Sequence, residues 1–207
     1  MTACSKRLLV EGNNDQHVLS ALCHKYQIPE NFEIVDCKGI NGLKRRLPLD
    51  FKTSDIDTIG VILDADTDIH ARWDSIRNIV SQAGFVFPET LPSTGLILTN
   101  EANGMNFGLW IMPDNKLNGM LEDFVHFLIP PSDPLKPIVH ETLDRLENNK
   151  LNPYSLTHKS KAFIHTWLAW QKKPGTPMGA AITQQYLTTD VDQCRLLVNW
   201  LTSLFSD

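Results

Sequence analysis

Acidic residues recur in this sequence at the points where apolar runs stop. Ile59-Gly60-Val61-Ile62-Leu63 leads into Asp64-Ala65-Asp66-Thr67-Asp68, and Leu8-Leu9-Val10 leads into Glu11-Gly12-Asn13-Asn14-Asp15. Carboxylates crowded just past buried strands repel one another, and a divalent cation is the usual remedy. A further acidic pair, Glu122-Asp123, opens a later apolar segment. Carboxylate oxygens suit magnesium (Mg2+) or manganese (Mn2+) better than zinc, which favours Cys and His. Such ions can activate water and spread charge over a phosphoryl group, and Glu11, Asp15, Asp64 and Asp66 are the candidates to hold one.

Each candidate has a plainer alternative. Asp68 immediately precedes a helical pattern and reads as its N-cap. Asp15 would balance the dipole of the first helix, and Glu122 and Asp123 that of theirs. His17 either contacts a phosphate or is simply solvated. Lys44, Arg45 and Arg46 either hold a nucleic-acid backbone or form a solvated helix face. His158, Lys159 and Lys161 carry the same two readings. Trp110, Trp167, Trp170 and Trp200 fall at apolar periodic positions, which predicts core packing rather than base stacking.

The elements that must position these residues follow from the apolar pattern. Strands are predicted at 7–10, 32–35 and 58–63, with helices from 15 to about 26, from 43 onward, and from 69 to about 83. Asn14 is the expected cap of the first helix. Gly39 and Gly42 follow the second strand and predict close backbone approach or a positive φ. Strand and helix alternate three times, which is the signature of a parallel sheet covered by helices. Ligands of such sheets sit at the carboxyl ends of the strands, where both acidic clusters fall. Segments 95–99 and 107–112 predict an antiparallel hairpin or a returning edge strand.

A helix is predicted to open near 119 and run to about 128. Pro130, Pro131, Pro134 and Pro137 then mark a stiff joint. Beyond it, helices are predicted at 139–149, 158–171 and 190–205, with a short helical turn at 177–182. The expected organisation is an α/β core over 1–128 and a helical C-terminal extension over 129–207, packed on the core.

The 207 residues suffice for a substantial hydrophobic core, and 42% hydrophobic with 21% charged residues fits a globular protein. A net charge of -5 argues against coating nucleic acid by bulk attraction, though not against a nucleic-acid enzyme that binds cations. Cys4, Cys23, Cys37 and Cys194 form no Cys-x-x-Cys pair, which argues against a zinc ribbon; reduced thiols are expected. The apolar runs are too short to span a bilayer and no leader pattern opens the sequence, so no membrane association and a cytoplasmic location are expected.

The combination of strand-Glu11-Gly12-x-x-Asp15, a glycine-bearing turn and strand-Asp64-x-Asp66 resembles the Toprim domain over roughly the first 128 residues. That domain is shared by topoisomerases, bacterial primases, recombination-repair proteins and the overcoming-lysogenisation-defect (OLD) nucleases. Trp110-Ile111-Met112-Pro113-Asp114-Asn115, followed by Gly119-Met120-Leu121-Glu122-Asp123-Phe124, is similar to a small stand-alone group of Toprim-related proteins. The resemblance implies a Rossmann-like core. It implies Glu11 as a general acid/base or metal ligand, and Asp64 and Asp66 as a metal pair joined by Asp15. It further implies Glu122 or Asp123 at a second metal site, and Lys161 or Lys159 as the basic residue that completes the nuclease pattern.

The sequence shows no accompanying ATPase domain, catalytic-tyrosine domain or primase zinc module, so the substrate does not carry over. Three functions stay open. The first is a Mg2+-dependent nuclease or phosphodiesterase acting on DNA or RNA. The second is a metal- or nucleic-acid-binding subunit that works with a partner such as an ATPase. The third is phosphoryl chemistry on a nucleotide or small phosphorylated metabolite, which the negative charge accommodates.

Overall fold

Short apolar runs bounded by polar turns make the strands, and amphipathic segments of period 3.6 make the helices between them. The computed structural model describes residues 5–206. Its N-terminal half runs β1 (Lys6–Val10), α1 (Asn13–Tyr26), β2 (Glu33–Asp36), α2 (Ile40–Asp50), β3 (Thr58–Asp64) and α3 (Ile69–Ser81). A hairpin of β4 (Leu96–Thr99) and β5 (Asn106–Met112) follows. The remaining helices are α4 (Leu121–Phe127), α5 (Leu135–Asn148), α6 (Lys159–Ala169), α7 (Met178–Thr183) and α8 (Asp192–Phe205), with a 3-10 turn at Leu156–His158.

The five strands form one sheet in the order β2-β1-β3-β5-β4. β1, β2, β3 and β5 are parallel, and β4 is the antiparallel edge. This is an α/β fold. From β1 the chain passes outward to β2 and then returns across β1 to β3. The connecting helices therefore lie on opposite faces, α1 with one core cluster and α2 with the other. The reversal opens a crevice beyond the carboxyl ends of β1 and β3, where open α/β sheets bind ligands.

Strand alternation divides the core. Ile62 of β3 packs with Leu19, Leu22 and Trp110 on one face, while Val61 and Leu63 pack with Leu43, Leu47 and Ile76 on the other. The helices after Ile129 contribute Val139, Phe163, Trp167, Leu197 and Leu201 to the cluster that α1 and α4 already share. Close approach of α8 depends on Gly60 and Gly108, which face each other across β3 and β5. A Cβ on Gly108 would stand 2.4 Å from Leu204 Cδ2, and one on Gly60 2.9 Å from the same atom.

Several local boundaries differ from the sequence reading for identifiable reasons. The N-cap of α1 is Gly12, not Asn14, because Asp15 Oδ2 accepts the Gly12 N–H at 3.1 Å and starts the helix earlier. α2 begins at Ile40 rather than 43. Gly39, at φ 96, caps it, and Gly42 sits so close to the preceding turn that a Cβ would lie 1.8 Å from Cys37 O. α5 begins at Leu135, since Pro137 falls in its first turn, where a missing N–H costs nothing. α6 ends at Ala169, which leaves Trp170 40% exposed rather than in the core; Trp110, Trp167 and Trp200 are buried. Cys23, Cys37 and Cys194 are buried free thiols, and Cys4 lies outside the described residues. Among the described residues no helix is long and apolar enough to cross a membrane.

Candidate functional site

Glu11 follows the last residue of β1, and Asp64 is the last residue of β3. Because the two strands are parallel neighbours, their ends lie side by side. Glu11 Oε1 accepts the backbone N–H of Asp64 at 3.0 Å. Asp64 Oδ1 in turn accepts the N–H of Leu121, the first residue of α4, at 2.9 Å. That bond places the next residue, Glu122, at the same crevice, where its side chain is 4% exposed. Lys161 on α6 comes in from the far side, with Nζ 3.5 Å from Glu122 Oε1. Asp15 uses one oxygen on Gly12; its Oδ1 is buried with no hydrogen-bond partner. Glu11, Asp15, Asp64, Glu122 and Lys161 thus line one open cavity of about 510 Å³.

The cavity is too acidic to carry all its charge unaided. Burial, reinforced by the charges of Asp15, Glu11 and Glu122, pushes the Asp64 carboxyl up to about 9. Burial, with Glu11 and Glu122 adding to it, raises Asp15 to about 7. Burial raises Glu11 too, against the opposing pull of the Asp64 N–H and the Arg72 guanidinium. Desolvation and like charge each favour the protonated form, and a bound cation would reverse both. Among the described residues no group of three His, Cys, Asp or Glu side chains stands ready-arranged around a metal position. The donor chemistry still fits a hard cation: all-oxygen ligands, mutual repulsion, and an unpartnered buried oxygen on Asp15.

The structure separates Asp66 and Asp123 from this cavity. Extended geometry stops at Asp64, and Asp66 has φ 52. Its N–H and C=O exchange hydrogen bonds with Gly119, each at 2.8 Å. The same-side relation of alternate strand residues therefore does not reach Asp66. Its carboxylate pairs with Arg72 and borders a second cleft, of about 540 Å³, together with Asn118, Asp123 and His158. Asp123 Oδ2 accepts the Met120 N–H at 2.8 Å, and its Oδ1 accepts the Ser160 hydroxyl.

The basic candidates also divide. Lys161 reaches the cavity, whereas Lys159 is held by Asp144 at 2.9 Å and Glu147 at 2.8 Å. Lys44 stands near enough to act on the Glu11 carboxyl. Arg46 is engaged with the buried Asp50 at 3.1 Å, which also accepts from Arg7 at 2.8 Å. Arg45 and His17 are exposed to solvent. Asp68 caps α3, accepting the Ala71 N–H at 3.0 Å, as its position predicts.

Three residues near the site escaped the sequence reading. Asp36 and Lys38 line the cavity from the end of β2. Asp36 Oδ1 accepts the Lys38 N–H at 2.8 Å, and its Oδ2 takes Lys38 Nζ at 2.5 Å. The signal for Asp36 was present, since it ends a strand just as Asp64 does. Arg72 had no such signal, because its importance depends on the turn that Asp66 makes.

One solved structure shows the same architecture. The C-terminal region of the OLD protein of Xanthomonas campestris pv. campestris, in its iodine-phased structure, is 14% identical. The match covers 98% of this chain and 96% of that one, with a TM-score of 0.51, and the likeness is one of fold. The mercury-phased structure of that region is 15% identical over 98% of this chain and 87% of that one, with a TM-score of 0.42. A search of curated proteins found no match. A family model described as "Protein of unknown function (DUF3226)" matches residues 5–206, and the chain belongs to that family.

Proposed function

We propose that this protein is a divalent-metal-dependent nucleic-acid phosphodiesterase, a nuclease of Toprim-like type. The observation that carries the reading is the meeting of Glu11, Asp15, Asp64 and Glu122 around one cavity at the chain-reversal crevice, with Asp15 Oδ1 buried and unpartnered. These four carboxylates would hold Mg2+ or Mn2+. Such an ion, when bound, supplies an activated water and charge stabilisation at phosphorus.

The chain's own residues supply the rest. The Asp64 N–H fixes the orientation of the Glu11 carboxylate, and the Leu121 N–H fixes that of Asp64. The Lys161 ammonium balances Glu122 and would face a phosphate oxygen of a bound strand. Buried walls strengthen each of these electrostatic contacts. Lys44 and Arg45, on the helix beside the crevice, are the remaining candidates for backbone phosphate contacts.

The test is a calorimetric Mn2+ and Mg2+ titration of the wild type beside Asp64→Asn, together with a cleavage screen of DNA and RNA forms against free nucleotides. Equal metal binding by both proteins would remove the metal reading. Turnover of nucleotides alone would move the substrate to the small-phosphate class.

A second reading has one specific support. The OLD region of like fold is the C-terminal part of a longer protein, so this architecture can serve as a module of a larger assembly. On that reading the chain acts with a partner such as an ATPase. Co-purification of an ATPase with the tagged chain, and cleavage that appears only in its presence, would favour it.

A further inference from the structure

One strand along the carboxyl edge of the sheet from Asp64 lies a separate cavity of about 290 Å³. Met112, the last residue of β5, pairs in register with Asp64, and the turn just after it carries Asn115. Asn115, Ile69 and Trp73 are the buried part of the cavity wall. The Ile69 N–H donates to Asn118 Oδ1 at 2.9 Å, which ties the start of α3 to the loop after β5. The Trp73 ring is backed by that of Phe87, 5.1 Å away. His70, Glu89, Thr90 and Lys116 form the exposed rim. Asn115 is 4% exposed, and its Oδ1 accepts the Ile111 N–H at 2.7 Å. That bond fixes the orientation of the carboxamide, since a flipped amide would set its NH2 group against an N–H. The Nδ2 donor is buried and has no hydrogen-bond partner among the described residues. A buried donor left unpaired is costly, and an acceptor brought by a ligand removes the cost.

We propose that this cavity takes one nucleobase of a nucleic-acid strand, with Asn115 Nδ2 donating to a base carbonyl and Trp73 packing against the ring. The proposal rests on the reading of the protein as a nucleic-acid phosphodiesterase. The volume suits a single flat ring system, and an apolar wall with one fixed polar group is the usual make-up of a small-ligand site. Aromatic packing accepts any base, because every base has a π-face. The amide selects further. Its oxygen is committed to Ile111, so it cannot read adenine by the two-bond pairing open to a free Asn. It offers a donor alone, which favours the carbonyl bases thymine, uracil and guanine. At the rim Glu89 offsets Lys116, which gives a phosphate group little reason to lodge there. The cavity is therefore built for a base whose phosphates lie elsewhere along the sheet edge.

The experiment measures binding of end-labelled oligothymidylate, and of an abasic oligomer of equal length, to the full chain by fluorescence anisotropy, with Ca2+ in place of Mg2+. The wild type is expected to bind oligothymidylate about tenfold more tightly than the abasic oligomer. Asn115→Asp keeps an oxygen for the Ile111 N–H and replaces the NH2 donor with a second acceptor, so that preference should vanish. Thr90→Trp fills the mouth from an exposed position and leaves the Asn115 turn untouched, so it should remove the preference as well; thermal melts confirm that both variants fold. Absence of oligothymidylate binding by the wild type, equal affinity for the two oligomers, or a preference that survives in the folded variants would overturn the proposal. Thymidine monophosphate should compete at least about a hundredfold less well than the strand. Competition as strong as that of the strand would assign the cavity to a free nucleotide and overturn the strand assignment. Equal Mn2+ binding by wild type and Asp64→Asn would remove the cation site without touching the base preference, so the two failures are distinguishable.

Discussion

Glu11 Oε1 and the Asp64 N–H, 53 residues apart in the chain, meet at 3.0 Å and lock the ends of β1 and β3 together. The bond uses a carboxylate as a structural acceptor at the place where its charge is least welcome. This double duty makes the glutamate's role separable by substitution.

Glu11→Gln keeps a side-chain oxygen to accept the Asp64 N–H and removes one charge from the acidic cavity. The metal-free variant is expected to melt about 2–4 °C above the metal-free wild type, as relief of roughly 1 kcal/mol would give for a chain of this size. Calorimetric melts in chelator measure this. Mn2+ affinity should fall in the same variant, and a melting point below that of the wild type would contradict the charge-crowding account.

The pH dependence of the metal-free protein should run opposite to that of a protein held by ordinary ion pairs. Asp15 and Asp64 titrate near 7 and 9 when folded, against 3.8 as the ordinary value. A folded-state value above the unfolded one means that the folded protein binds the extra protons. Their stabilising contribution is complete below about pH 4 and is lost as pH rises through 7 toward 9. Urea denaturation in chelator between pH 5 and 9 should show the decline, and added Mg2+ should flatten it.

A separate acid limb belongs to His126. Its ring lies 4.6 Å from that of Phe163 and 5.7 Å from that of His140, and its Nε2 is buried without a partner. Burial, aided by the charges of Lys136 and His140, lowers it to about 4 from 6.5. The depressed value means that His126 stabilises the neutral-pH fold and that this contribution is lost as pH falls from 6.5 through 4. His126→Phe should shallow that part of the curve while leaving the alkaline decline intact.

Gly42→Ala tests the turn that supports the site. Its Cβ would fall 1.8 Å from Cys37 O, a backbone atom that cannot swing aside. The same turn carries the Gly39 N–H to Glu11 O at 2.6 Å. A loss of about 3 kcal/mol in chemical denaturation is expected. Mn2+ affinity should fall with it, because Glu11 loses its backbone anchor.

Local chemistry made much of the architecture readable. The alternation of β-rich and helical patterns predicted the parallel sheet, the β4–β5 hairpin and the placing of the acidic clusters at strand ends, because burial periodicity is written into single segments. Glu11, Asp15 and Asp64 could be named for the same reason: residue type and position relative to an apolar run are local properties; Glu122 and Lys161 were each reached only as one of two, through the family resemblance. The cap of α1 and the start of α2 were not legible, because Asp15 folding back on Gly12 and the positive φ of Gly39 are choices the backbone makes only once the turns close.

What only the tertiary structure decided is which carboxylates share a space. In the sequence Asp64 and Asp66 form one motif, and Glu122 and Asp123 another. In the fold, one member of each pair enters the cavity and the other borders the neighbouring cleft. The reason is the antiparallel bridge between Asp66 and Gly119, which joins the segment after β3 to the segment before α4. It turns Asp66 out of the extended path and sets the first residues of α4 against Asp64. A contact between residues so far apart in the chain leaves no trace in local spacing, so the selection of Asp64 and Glu122 over their neighbours belongs to the fold.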